Sequence, residues 1–310
     1  MSARIALIVP CLNEAAALPV LFAQVRSHLP EAEVHVFDNG SSDDTCRVAQ
    51  QHGARLHHVA EKGKGHVVAR MFADVDADVY LMVDGDGTYD LSDAAAHVRR
   101  VVDEDIDMII GSRLDTYEQS GSRGGHKFGN QLLTRLVSRL FHARLGDVLS
   151  GYRVMSRRFV KSAPVLASGF EVEVMLTVHA LEIRTHLAQE PVRYLKRAEG
   201  SASKLRTLRD GCRILLAIIY LFKEIRPFRF FSAVGGMGVL LSLLIGVPVV
   251  IEFLETGLVP RFPSAILAAS LMLAGLICFS CGLILDSVAR QRRELKRLAY
   301  LVQTLRRNEG

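Results

Sequence analysis

The sequence predicts an α/β domain with a mostly parallel sheet flanked by helices, then an interfacial helix and two transmembrane helices. Over residues 1 to about 110, short β-rich runs alternate with stretches of helical period, the order that gives parallel strands joined by crossover helices. The runs Phe230–Ile251 and Ser264–Leu285 are each 22 residues long and carry no charge. At ~1.5 Å per residue, either run can cross a ~30 Å hydrocarbon core. Finally, polar glycine-bearing loops follow several expected strands, at the sheet edge where open α/β folds bind ligands.

In chain order, Ile5–Val9 reads as a first strand and Glu14–Leu29 as an amphipathic helix. Val34–Phe37 is a second strand, and Asp43–His52 a second helix with Ser41 or Ser42 as its cap. Arg55–Val59 suits a third strand, Lys64–Ala73 a helix, Val79–Val83 the central strand, and Asp107–Gly111 a further strand. Phe128–Phe141 is a helix whose Leu132, Leu133, Leu136, Val137 and Leu140 form a core stripe.

The central strand breaks into Asp84-Gly85-Asp86-Gly87. Two carboxylates one residue apart can turn toward one hard cation, while the glycines admit backbone or phosphate at close range. An EF-hand calcium loop would need Gly and an acid where Tyr89 and Ala95 stand, so that reading fails. A dinucleotide fingerprint would need a third glycine where Asp90 stands. A solvated acidic turn is the plain alternative, and the other loops argue against it. Pro10-Cys11-Leu12-Asn13-Glu14, the stretch from Asp38 to Thr45, and Glu61-Lys62-Gly63-Lys64-Gly65 would share one rim with this loop. Acids for ribose and metal, with Lys62 and Lys64 ahead of a helix for phosphate, favour a nucleotide site.

The succession VPCLNE, VFDNGSSDDT, KGKG and VDGDGTYD resembles the GT-A glycosyltransferases of family 2. The later pieces are GSR at Gly111–Arg113, Asp147–Arg153, GFEVE ending at Glu173, and GSASKLRTLRDG at Gly200–Gly211. Together they make the chain similar to the polyprenyl-phosphate (dolichyl-phosphate) sugar synthases over residues 4 to about 211. The resemblance implies a GT-A fold in which Pro10, Asn13 and Glu14 border the nucleoside and Asp38 meets base or ribose. It implies Asp84 and Asp86 as ligands of Mg2+ or Mn2+, Arg113 and Arg123 on the acceptor-phosphate side, and Arg197 and Lys204 near the donor diphosphate. Many mannosyl members carry Gln where this chain has Thr88, which tilts the expected donor from GDP-mannose toward UDP-glucose or a UDP-N-acetylhexosamine. The stretch Leu114–Lys127, bracketed by Arg113 and containing Arg123, reads as an acceptor loop or as plain surface.

Lys223, Arg226 and Arg229 precede the first apolar run, and Arg290, Arg292, Arg293, Lys296 and Arg297 follow the second. The connecting loop offers Arg261 against Glu252 and Glu255, so the positive-inside rule places both ends in the cytoplasm. Gly235, Gly236 and Gly238 would allow close helix contact and Pro248 a kink. The expected division is 1–204 catalytic, 205–229 interfacial, 230–286 a transmembrane hairpin and 287–310 a basic helix. That last helix could pair with a partner, including a second copy, or lie on anionic lipid. Ala3–Pro10 is too short for a signal peptide, and five scattered cysteines suggest free thiols in a reducing compartment. A net charge of +5 gives no reason to expect a nucleic-acid partner.

The expected activity is inverting transfer of a sugar from a nucleotide-sugar to a polyprenyl monophosphate at the cytoplasmic face of a bacterial or archaeal plasma membrane. A phosphate monoester, with a second pKa of ~6, brings its own charge, so no strong base is needed; Asp147 is the one acid that would otherwise serve. The alternatives are a GDP-mannose-dependent synthase and a non-catalytic, membrane-anchored domain that binds nucleotide sugar. A processive polysaccharide synthase is disfavoured by the small number of apolar spans.

Overall fold

The computed structural model describes residues 3–113, 124–165, 171–195 and 219–308. The expectations placed on Arg123, Arg197, Lys204, Cys212 and the start of the 205–229 helix fall outside those residues. The chain forms two compact units, residues 1–214 with 295–310, and residues 215–294.

The first unit holds a seven-stranded sheet in the order β3-β2-β1-β4-β6-β5-β7. Its strands are β1 (Ile5–Cys11), β2 (Glu33–Asp38), β3 (Arg55–His58), β4 (Val79–Met82), β5 (Met108–Ser112), β6 (Arg153–Ser156) and β7 (Leu187–Pro191). β6 runs antiparallel to its neighbours β4 and β5, and every other pair is parallel. The expected mostly parallel sheet with flanking helices is therefore present.

Strand β1 shows why. Ile5, Leu7 and Val9 face one apolar cluster, and Ala6 and Ile8 face another. A strand apolar on both faces has to be covered on both faces. Helices α1 (Leu18–His28) and α4 (Ala94–Asp103) supply Leu18, Leu21, Phe22, Val98 and Val101 to the first layer. Helices α3 (Lys64–Asp74), α6 (Arg157–Ser162) and α7 (Val172–Glu182) supply Val67, Val68, Met71, Phe159, Val160 and Leu176 to the second. Helices α2 (Thr45–Gln51) and α5 (Gly124–Phe141) complete the unit.

Three local expectations need correction. The second helix begins at Thr45 with Asp44 at the cap position, so neither Ser41 nor Ser42 caps it. Those serines instead bind Asn13, across the rim. The first helix begins at Leu18, because residues 15–17 form turns that let Glu14 and Ala15 reach the second loop. Two strands, β6 and β7, were not anticipated.

The parallel order brings the carboxyl ends of β1, β2, β3, β4, β5 and β7 to one rim. β6 is antiparallel, so the loop that leads into it, residues 147–152, arrives at that rim as well. At the opposite rim lie Asp107, Ser156, Arg158 and His186, together with the end of the chain's last helix. Tyr300 Oη donates to Asp107 at 2.9 Å, and Lys296 Nζ donates to Glu182 at 2.7 Å. The tail helix, open in the sequence to a partner or to lipid, thus packs on its own α/β unit from residue 295 onward.

In the second unit, α8 (Pro227–Thr256) and α9, which begins at Phe262 and continues to Asn308, are long and apolar enough to cross a membrane. Only 17% of each helix's most apolar window is buried, leaving leucine and isoleucine faces open, as a lipid environment allows. The helices meet through small residues. A Cβ on Gly235 would lie 2.8 Å from Gly275 O, one on Gly246 would lie 3.2 Å from Ala268 Cβ, and Ser242 Oγ donates to Ala268 O at 2.7 Å. A Cβ on Gly236 would meet none of the described residues of the other helix within 4 Å, so Gly236 takes no part in this contact, contrary to expectation. Among the described residues, Cys11, Cys46, Cys278 and Cys281 are free thiols.

Candidate active site

The first two loops of the rim are knitted together by side chains. Asn13 sits in the left-handed region at φ 54°, a conformation asparagine tolerates. Its backbone N–H donates to Ser41 Oγ at 2.8 Å, and its Oδ1 accepts from Ser42 N at 2.7 Å. Glu14 N donates to Thr45 Oγ1 at 2.9 Å. Asp38, the last residue of β2, is 3% exposed and accepts from Gly40 N at 3.0 Å and Ser41 N at 3.1 Å. Burial alone would raise its pKa, but the donors from Ser41 and Gly40 outweigh that and hold it below the ordinary carboxylate value. Pro10 lies near the end of β1, half-buried beside the Gly85 turn. The predicted nucleoside-side residues Pro10, Asn13, Glu14 and Asp38 therefore form one connected wall.

The two lysines of the third loop part company. Lys62 Nζ turns back to Asn39 O at 2.7 Å and Gly40 O at 3.3 Å, bracing the second loop. Lys64, the first residue of α3, points instead to the β4 loop, with Nζ 2.5 Å from Asp84 Oδ1 and in contact with Glu173 Oε1. Burial disfavours its charge, yet the two carboxylates prevail and hold its pKa above the usual lysine value.

Asp84 and Asp86 leave the carboxyl end of β4 in different surroundings. Asp86 is 6% exposed and fixed from its own loop, where Thr88 Oγ1 donates at 2.6 Å and Thr88 N at 3.2 Å. The Asp84 side chain is 29% exposed and lies against Gly151, where a Cβ would collide with its carboxylate. Gly85 is constrained in turn, since a Cβ there would sit 2.7 Å from Cys11 Sγ and 3.2 Å from Pro10 O. The glycines of this turn and of the 147–152 loop permit close approach, as expected of a ligand loop.

The wall opposite is built around Asp147, which is 1% exposed. Arg113 Nε donates to Asp147 Oδ2 at 2.6 Å and Nη2 to Oδ1 at 3.2 Å, while Asn130 Nδ2 donates to Oδ1 at 3.0 Å. Burial pushes this carboxyl up, but the Arg113 charge and these hydrogen bonds push further down, so it stays ionised below the ordinary range. Held in this way, Asp147 is not placed to act as a general base. Arg113 also lies over the Tyr194 ring, with the guanidinium carbon 5.5 Å from its centroid. Tyr89 Oη accepts from Gly151 N at 2.8 Å and joins this wall to the β4 loop.

Sequence reasoning missed Glu173 as a site residue. It occupies the first turn of α7, is 3% exposed, and contacts the same ammonium as Asp84. Burial raises its pKa and Lys64 only partly offsets that. Its second oxygen, Oε2, is buried and accepts no hydrogen bond from the described residues. The usable signal was an acid inside the apolar helical run Val172–Leu176, where a charge needs a nearby counter-ion. Fully buried Arg153 anchors the arrangement, donating to Glu173 O at 2.8 Å, Val148 O at 3.0 Å and Ser150 O at 3.2 Å.

Asp84 and Asp86, one residue apart in the turn after β4, offer the hard carboxylate oxygens that a divalent cation takes. Among the described residues, ligand atoms of Asp38, Cys46 and His58 lie within 4.8 Å of one another.

Residues 6–162 match Glycosyl transferase family 2. An uncharacterized protein of Shigella flexneri is 50% identical over 154 residues, which are 50% of this chain and 94% of that one. Glycosyltransferase AglJ of Haloferax volcanii is 27% identical over 299 residues, 96% of this chain and 98% of its own. Dolichol-phosphate mannosyltransferase of Pyrococcus furiosus is 23% identical over 253 residues, 77% of this chain and 70% of its own. Glucosyl-3-phosphoglycerate synthase from Mycobacterium tuberculosis, in complex with Mn2+, UDP and glucosyl-3-phosphoglycerate, shares the fold. Its TM-score is 0.57 at 24% identity, over 72% of this chain and 80% of that one.

Proposed function

The chain belongs to glycosyl transferase family 2, and from that premise we propose that it moves a sugar from a UDP-sugar to a polyprenyl monophosphate at the cytoplasmic face of a membrane. One observation carries the reading: the Asp84–Asp86 turn shares a rim with the Asn13 and Asp38 loops and with Lys64, in a chain that also has two helices able to span a bilayer. Carboxylates for a metal, a lysine for diphosphate and a nucleoside wall suit a nucleotide-sugar, and a membrane anchor suits an acceptor borne by lipid. The Mn2+ and UDP bound by the mycobacterial synthase and the name of the Pyrococcus relative support the same reading.

Asp84 and Asp86 would hold Mg2+ or Mn2+, which when bound neutralises charge developing on the leaving diphosphate. Thr88 keeps Asp86 oriented by donating to its Oδ1 from both the backbone N–H and the side-chain hydroxyl. The loops carrying Pro10, Asn13, Glu14 and Asp38 hold the nucleoside, and Lys64 lies where the diphosphate arrives. Arg113, with Arg123, Arg197 and Lys204 from outside the described residues, would serve the acceptor and donor phosphates. The acceptor phosphate, with a second pKa of ~6, attacks the anomeric carbon already charged, with inversion. Asp147 is committed to Arg113 and is not required as a base. Basic residues flanking α8 and following the apolar part of α9 favour a cytoplasmic site by the positive-inside rule.

The test uses the full-length protein in membranes with labelled UDP-glucose, a UDP-N-acetylhexosamine or GDP-mannose, polyprenyl monophosphate, and a chelator arm. Label in lipid from a UDP-sugar, abolished by the chelator and by Asp86→Ala, is the expected result. Transfer from GDP-mannose alone would move the donor assignment to the mannosyl class of the Pyrococcus relative. Donor binding without transfer to any lipid would leave the non-catalytic reading.

A further inference from the structure

We propose that Asp38, Cys46 and His58 form a metal site of their own, one for Zn2+, and that an ion held there shuts the nucleoside out. The second half of the inference rests on the reading of Asp38 as a nucleoside contact. The sheet brings two of the three together. β2 and β3 are parallel neighbours, and Asp38 and His58 are register partners, each the last residue of its strand. Cys46 comes back to them as the second residue of α2, and its thiol hydrogen-bonds to the Asp38 carboxylate. The ligand atoms of the three lie within 4.8 Å of one another.

The distances separate a metal site from a hydrogen-bonded trio. His58 Nδ1 is 3.6 Å from Asp38 Oδ2, too far for a hydrogen bond. Two ligands bonded to one tetrahedral Zn2+ at ~2.1 Å stand ~3.4 Å apart, close to that separation. His58 is exposed and Cys46 half-buried, so small side-chain rotations close the remaining gap. Asp38 is 3% exposed and accepts from Gly40 N and Ser41 N, which leaves it little freedom to turn away. Thiolate, imidazole and carboxylate are donors that zinc takes, whereas the Asp84–Asp86 turn offers hard oxygen suited to Mg2+ or Mn2+. Three protein ligands leave a fourth position for water, as in open zinc sites, and the exposure of His58 gives an ion a way in. Binding sends the thiol proton to solvent. An ion so held sits on the carboxylate that the nucleoside needs, so zinc and donor exclude one another.

The experiment uses the full-length protein in detergent, stripped of metal by a chelator, with Co2+ as the probe and Zn2+ as its competitor. Cobalt bound to thiolate absorbs in the near ultraviolet, so the band reports ligation by cysteine. Wild type should show that band and lose it on addition of Zn2+, and Cys46→Ser should lack it. His58→Ala should weaken Zn2+ binding at least ~10-fold, the lower end of what even an outer-shell partner contributes. Asp86→Ala should keep the band, since the hard-oxygen turn is a separate site. With free Zn2+ buffered and Mg2+ present, UDP at about 10 times its own Kd should weaken Zn2+ binding about 10-fold. No band in wild type, a band that survives Cys46→Ser or is lost in Asp86→Ala, or unchanged Zn2+ affinity in His58→Ala would overturn the site, while leaving the UDP-sugar reading untouched. Zinc affinity indifferent to UDP, in protein shown to bind UDP, would overturn the exclusion and the nucleoside role of Asp38 with it. Protein that binds no UDP would remove the donor reading itself, and the cobalt band would still decide the site.

Discussion

Gly151→Ala should disable the site while leaving the fold in place. Gly151 is not among the residues at positive φ, so alanine fits the backbone there without strain. The difficulty is the new Cβ, which would stand 2.5 Å from Asp84 Cγ and 2.7 Å from Oδ1, where ordinary contact begins near 3.4 Å. The carboxylate must then retreat by roughly 1 Å, a displacement that can cost about 100-fold in rate when it misplaces a reacting assembly. Stability should fall far less, at most the ~1–3 kcal/mol typical of overpacking, because the Asp84 side chain is 29% exposed and can swing outward. Gly236→Ala serves as the control, since among the described residues its Cβ would meet nothing within 4 Å beyond its own helix. The assay is initial rate of lipid labelling against Mn2+ concentration, beside thermal melting of the same preparations. Wild-type rates and metal dependence in Gly151→Ala would refute the idea that this loop sets the position of Asp84.

Arg113→Ala strips the buried Asp147 of its guanidinium and should destabilise the protein by about 3–5 kcal/mol at neutral pH. The Arg113 charge and the hydrogen bonds hold the folded Asp147 carboxyl below the ordinary aspartate range despite its burial, so the stabilisation is present above the unfolded pKa and fades as pH falls through the folded one. The gap between wild type and Arg113→Ala in denaturant unfolding should therefore narrow as pH drops below about 4, and a gap independent of pH would contradict the pairing. Tyr300→Phe deletes a hydrogen bond to Asp107 and should cost about 0.5–1.5 kcal/mol, visible as a lower melting midpoint with donor binding unchanged. An unaltered midpoint would mean that the tail helix does not rest on the α/β unit. Gly235→Leu should disrupt the α8–α9 contact, because its side chain would run into Gly275 O and Cys278. Greater protease sensitivity in a mild detergent, with the α/β unit still folded by circular dichroism, is the expected readout.

The strands that were legible were those whose local pattern matches their environment. β1 and β4 are short apolar runs buried on both faces, and each was found to within two residues. β6 was missed because it opens with Arg153, whose charge argues for the surface; its hydrogen bonds go to carbonyls such as Val148 O and Glu173 O, a satisfaction visible only in three dimensions. β7, Leu187–Pro191, contains Gln189, Glu190 and Pro191, and its place at the edge of the sheet tolerates what a central strand would not. At the site, Asp84 and Asp86 could be read from their spacing and their position after a strand. The division of labour between Lys62 and Lys64 could not, because it depends on which loop each side chain meets. Ser41 looked like a helix cap since serine suits that position, yet the Asn13 backbone offered it a donor from across the rim. Glu173 was hidden for a related reason, as a charge made tolerable by a lysine more than a hundred residues earlier in the chain.

The central claim is that the turn after β4 holds the cation that meets the donor diphosphate. Anomalous diffraction at the manganese edge, from crystals grown with Mn2+ and UDP, tests it most directly. A single strong peak within about 2.3 Å of an Asp86 carboxylate oxygen, absent in Asp86→Ala crystals, is the result expected for a hard divalent ion on oxygen ligands. A peak instead among Asp38, Cys46 and His58, with the Asp84–Asp86 turn bare beside bound UDP, would contradict it.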